Sequence, residues 1–131
     1  MHNSLSIIDE STSGEVISSL VLTFPVDSIT VEEMLKKRIA KEIQDWELNR
    51  DDYFKGLIQP SESEQSVNGF RVKKHKKIDL DDQILKARDA FGTARLLILV
   101  NNKQVESLED EIKLTPNTVV SFLKLVPLAG G

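Results

Sequence analysis

Apolar residues alternate with others from Leu20 to Phe24: Leu20, Leu22 and Phe24 fall on one side, Val21 and Thr23 on the other. A period of two predicts a strand with one strongly apolar face. Upstream, "SLSIIDE" and the turn-like "STSG" lead into "EVISSLVLTFP", so the chain opens as two strands joined by a tight connection, with Pro25 and Asp27 ending the second. The period then changes. In "ITVEEMLKKRIAKEIQDWE", Val31, Leu35, Ile39, Ile43 and Trp46 recur at helical spacing and form one apolar stripe. Thr30 stands where a cap is needed and Glu33 follows at capping-box spacing; Ile29 and Met34 are placed as a hydrophobic staple. The lysines and Arg38 fall largely off the stripe, and Met34 and Trp46 read as core.

From about residue 47 to 78 the pattern weakens. "PSESEQSVNG" is polar, with a proline and an Asn-Gly turn signal, while Tyr53, Phe54, Leu57, Ile58, Phe70 and Val72 supply apolar anchors. This reads as an insertion that touches the core and holds one short strand pair. "IDLDDQILKARDAFG" predicts a second, short helix, capped by Asp79 or Asp81, with Leu80, Ile84, Ala87 and Phe91 on one side and Gly92 as terminator. "ARLLILVNNKQV" is a buried strand with a turn at Asn101-Asn102. A brief extended piece and a Pro116-Asn117 turn follow, and "VVSFLKLVP" is the last strand.

The order strand, strand, helix, insertion, helix, strand, loop, strand is the plan of a β-grasp: an α+β fold whose mixed sheet packs on one long helix. A ferredoxin-like sandwich is the competing arrangement. Residues 1–131 are expected to form a single domain, with the insertion at about 47–78 and a flexible tail at 127–131. In the last strand Val119, Leu123 and Leu125 point one way and Val120, Phe122 and Val126 the other, so both faces are substantially apolar. The helix covers one face; the other, carrying Val120 and Phe122, either lies under the insertion or docks a partner, and the docking surface is the expectation.

Composition narrows the function classes. The net charge is −4 and the sequence pI about 5.2, so no global basic field invites nucleic acid. There is no cysteine, which removes disulfides, thiolate metal sites and a thiol nucleophile. The first residues lack a basic start and a continuous apolar stretch, and no apolar run approaches the roughly 20 residues of a membrane helix. A cytoplasmic protein without membrane contact is expected. Lys73, Lys74, Lys76 and Lys77 around His75 read as a solvated edge strand kept apart by lysines. His2 and His75 have no ligand-spaced companions, and Asp51-Asp52 and Asp81-Asp82 fit a loop and a helix start better than acid–base work. Neither an enzyme, a metal site nor a bound cofactor is expected.

The chemistry lies in "LVPLAGG". Pro127 cannot extend a hydrogen-bonded ladder and so releases the tail from the sheet; Gly130 and Gly131, without Cβ atoms, thread channels too narrow for other residues. Such an arm suits a carboxylate that must be delivered to another protein's nucleotide. "TVVSFLKLVPLAGG" resembles the C-terminal strand and tail of the β-grasp proteins that end in Gly-Gly: the ubiquitin-like modifiers and the sulfur carriers of molybdopterin and thiamin synthesis. "LLILVNNKQVE", with a short helix just before it, resembles the penultimate strand and turn of the sulfur carriers. The resemblance covers roughly residues 79–131; the first hairpin and helix match in order only. It implies that Gly131 carries the reactive carboxylate beside Gly130, that Pro127, Leu128 and Ala129 are read by the partner, and that an adenylating activating enzyme supplies the nucleotide and metal. The insertion and the opening strand depart from the sulfur-carrier plan. They favour a modifier of the kind bacteria encode beside activating and conjugating enzymes and an isopeptidase, conjugated through thioesters to target lysines. A sulfur carrier ending in a thiocarboxylate is the alternative, and a non-conjugated interaction module the third.

Overall fold

The structure, a computed structural model, describes residues 3–73 and 77–126. The protein is α+β. Its main sheet has five strands in the order β2 (Val16–Phe24), β1 (Asn3–Glu10), β10 (Val119–Lys124), β7 (Leu96–Val100), β8 (Lys103–Gln104). β1 pairs antiparallel with β2 and parallel with β10, so the sheet is mixed and the last strand lies at its centre.

α1 (Val31–Asn49) follows the hairpin with the expected capping box: the Glu33 amide donates to the Thr30 hydroxyl at 3.1 Å, and the Thr30 amide to the Glu33 carboxylate at 3.2 Å. Two further amides of its first turn are satisfied by loop carbonyls, Val31 by Asp110 and Glu32 by Leu108, each at 2.9 Å. That loop leads into the brief extended piece expected there, β9 (Glu111–Lys113), which pairs antiparallel with β3 (Ser28–Thr30), a strand the sequence pattern did not show, and the pair clasps the helix start. Three residues per strand are too few for a period to show.

The apolar stripe is buried from Val31 to Trp46 and joins Leu5, Ile7, Leu22, Phe24, Leu96, Ile98, Val120 and Phe122 in one core. Residues 50–79, between the helices, hold a sheet of three strands rather than one pair, in the order β4 (Tyr53–Phe54), β6 (Gly69–Arg71), β5 (Glu64–Ser66). Its Phe54, Leu57, Ile58, Phe70 and Val72 belong to the same core, and the Phe54 ring meets Trp46 edge-on at 6.4 Å. Gly69 has φ +122°, and a Cβ there would lie 2.9 Å from the Phe54 carbonyl, so the Asn68-Gly69 signal marks a position only glycine fills without strain. β6 is a middle strand that ends at Arg71; the lysine run therefore does not form an edge strand at Lys73, and Lys74, His75 and Lys76 lie outside the described residues.

α2 (Leu80–Gly92) is capped by Asp79, whose carboxylate accepts from the amides of Asp81 and Asp82. Of the side expected, Ala87 is buried and Ile84 and Phe91 are half-buried against the core, while Leu80 is exposed; Gln83 and Ala90 complete the buried face. Two alanines let the helix approach closely, and the Gln83 amide group earns its burial by donating to the Ile58 carbonyl at 2.9 Å. Asn101 and Asn102, at φ 50° and 68°, form the two-residue turn between β7 and β8. No described helix is long and apolar enough to cross a membrane.

Candidate functional site

β10 leads to the tail, so the site is built from that strand outward. Side chains alternate across a sheet, and the register fixes which face each one takes. Val120 pairs with Val100 and Ile7, and Phe122 with Ile98 and Asp9. Val120 is 0% exposed and Phe122 1%. Both are core, and the expectation that they form a docking face is corrected. The reason is parity: with both faces apolar, sequence alone could not say which one α1 covers, and it covers this one.

The open face therefore belongs to the other set. The register lays it out in rows running across the strands: Val21, Ser6 and Val119; then Ile8, Ser121 and Leu99; then Glu10, Leu123 and Leu97. Val21 and Val119 are exposed, Ile8, Leu97, Leu99 and Leu123 half-buried, and Ser121 at the middle is buried, its hydroxyl donating to Glu10 at 3.4 Å. None of the six apolar residues belongs to the core or packs against it. They form an apolar strip over the central strands, on the face away from α1, and the Glu10 carboxylate rims it. At the end of β10 the Leu125 amide donates to the Arg95 carbonyl at 2.9 Å, the last backbone hydrogen bond that ties the strand down among the described residues. Leu125 and Val126 are 43% and 44% exposed. Pro127, Leu128, Ala129, Gly130 and Gly131, the residues expected to be read and activated, lie outside the described residues.

Beneath Phe122 sits a charged cluster. Arg38 is 2% exposed, with its guanidinium 4.5 Å from the centre of the Phe122 ring. It donates to both carboxylate oxygens of Asp9, at 2.6 and 2.7 Å, and through Nε to Glu42 at 3.2 Å. The Ser18 hydroxyl adds a bond to Asp9 at 2.8 Å, and Glu42 also accepts from the Leu57 amide at 3.0 Å. One cluster thus ties β1, β2, α1 and the segment between the helices together under β10. Burial pushes the Asp9 carboxyl up, but the hydrogen bonds and charge of Arg38 outweigh it and hold Asp9 below the usual carboxylate range. For Glu42 burial dominates: its pKa is raised, and Oε1 has no hydrogen-bond partner among the described residues. Arg38, expected off the stripe, is the largest correction on α1. A signal was there. Arg38 and Glu42 lie at 7 and 11 residues from Val31, on the stripe itself, and Asp9 continues the inward alternation of Leu5 and Ile7.

No family model matches the chain, and neither a curated protein nor a solved structure matches it.

Proposed function

We propose that the chain is a ubiquitin-like β-grasp protein whose Gly131 carboxylate is adenylated by an activating enzyme and passed through thioesters to the lysine of a target. The observation that carries this reading is the strand order β2-β1-β10-β7-β8, with β10 parallel to β1 at the centre and α1 across one face. That arrangement is what the resemblance of the last strand and tail implies for the fold as a whole.

The physical logic is a rigid handle that holds the start of the tail. β10 is hydrogen-bonded on both sides, by β1 and β7, so its end is a fixed point. Leu125 and Val126 leave the core there, and Pro127 bars continuation of the ladder. Two glycines then present a carboxylate with no side chain to obstruct an enclosed nucleotide site. In the first step a carboxylate oxygen attacks the α-phosphorus of ATP and pyrophosphate leaves. In the second an enzyme thiolate attacks the acyl carbon and AMP leaves. A lysine amine then displaces the thiolate to form an isopeptide bond. The open strip of Ile8, Leu97, Leu99 and Leu123 gives the activating enzyme an apolar surface to grip beside the arm. The reading asks only that the carboxylate of Gly131 be free in the working form of the protein.

The test is a variant lacking Gly130 and Gly131. It should melt at the temperature of the intact protein, because terminal glycines bury little. It should support no ATP–pyrophosphate exchange by the activating enzyme of its own cell. Undiminished exchange would remove the tail from the chemistry and the proposal with it.

A further inference from the structure

Among the described residues the main sheet has two edges without a partner strand, and they are unlike. β8 is two residues long and carries Lys103. β2 runs for nine residues, VISSLVLTF, without a charge or a proline. Short strands and lysines are how sheets block edge-to-edge pairing, whereas a long uncharged edge is a template for another strand. Val16, Ile17 and Val21 on this strand are 59%, 64% and 54% exposed. Among the described residues its pairing with β1 is irregular between Asp9 and Glu10, at the Val16 end, and Lys37 sits over the Phe24 ring at the other. Nor does α1 close over the edge: a cleft of about 280 Å³ separates Ser18, Ser19 and Leu20 of β2 from Lys41 and Asp45 of α1.

We infer that a second copy of this chain occupies the edge, with β2 pairing antiparallel to β2 of the other copy across a two-fold axis. A second β2 brings no charge of its own along the nine residues it would cover, and its backbone supplies the donors and acceptors that the edge lacks. Antiparallel pairing about the strand's middle also brings the Val16 end of one copy beside the Phe24 end of the other. There the exposed Glu15 approaches Lys37, whose ammonium sits 5.9 Å from the centre of the Phe24 ring. The two-fold repeats this opposite-charge pairing at both ends. Because the interface is the same patch on both copies, the assembly closes at a dimer and leaves no bare β2 edge. β10 lies two strands away in the sheet, so the dimer leaves Leu125 and Val126 at its end, and Leu97, Leu99 and Leu123 of the strip, clear. The inference stands on the edge alone and does not rest on the proposed function.

Light-scattering mass of the full chain across a concentration series reads the outcome. Wild type should rise from 14.7 kDa to twice that mass. Val21→Lys places like charges across the axis and should raise the dissociation constant by about tenfold or more. Lys37→Glu should weaken the dimer as well, and adding Glu15→Lys to it should restore the wild-type constant. Both of those positions are exposed, so this pair decides the matter if circular dichroism shows that Val21→Lys fails to fold. A wild type that stays monomeric at every concentration overturns the inference, and would leave the edge to a strand from another protein. So does a folded Val21→Lys that dimerises as well as wild type, or a charge swap without restoration.

Discussion

Replacing Arg38 by alanine should cost about 3–5 kcal/mol of folding stability, because it leaves the half-buried carboxylates of Asp9 and Glu42 without their cation. Small proteins have only about 5–15 kcal/mol in total, so this single change brings the chain to the edge of unfolding. Asp9 loses both of its short hydrogen bonds to the guanidinium, Glu42 loses the bond to Nε, and the Phe122 ring loses the plane it packs against. The pH dependence carries a second signature. Asp9 is depressed in the folded state, so its contribution is present above its unfolded value of about 3.8 and is lost as the pH falls through the folded value. Glu42 is raised, so its contribution is present below its unfolded value of about 4.5 and is lost as the pH rises through the folded value. The cluster therefore stabilises most in mild acid. In Arg38→Ala the loss in strong acid should vanish, since the group that depresses Asp9 is gone. Urea titrations at several pH values read both effects. A loss below about 1 kcal/mol would mean that the cluster is solvated rather than buried.

Phe122→Ala and Leu123→Ala should differ sharply although the residues are neighbours. Phe122 fills the core between Ile98, Asp9 and the Arg38 guanidinium, and its truncation should cost about 3–5 kcal/mol through lost burial and the cavity left behind. Leu123 lies on the open strip, half-buried and outside the core, and its truncation should cost less than about 1 kcal/mol. Thermal or denaturant unfolding of the two variants settles the parity of the strand. Equal losses would mean that both faces of β10 are covered.

That parity is also where the limit of the sequence shows. The pattern of the first hairpin, the capping box at Thr30 and Glu33 and the Asn101-Asn102 turn were all legible, because each rests on local chemistry that neighbouring residues decide. Which face of "VVSFLK" meets the helix is decided by the whole sheet, and an apolar residue at nearly every position left no alternation to read. Arg38 was misplaced because a charge on a helix is usually solvated; its burial depends on Asp9, 29 residues away. The clasp of β3 and β9 and the three-stranded insertion are made of strands two or three residues long, held by tertiary pairing rather than by pattern. The tail is the opposite case. Its candidate chemistry came from Pro127, Gly130 and Gly131 alone, and the fold adds the central position of the strand that carries it.

The most direct test of the central claim is peptide mapping by mass spectrometry of the protein isolated from its own cell with its adducts intact. The account predicts a C-terminal peptide in which the Gly131 carbonyl forms an isopeptide bond with the ε-amine of a target lysine. A Gly131 found only as a free carboxylate, or with one oxygen replaced by sulfur, would contradict conjugation, and the sulfur-bearing form would make the chain a carrier instead.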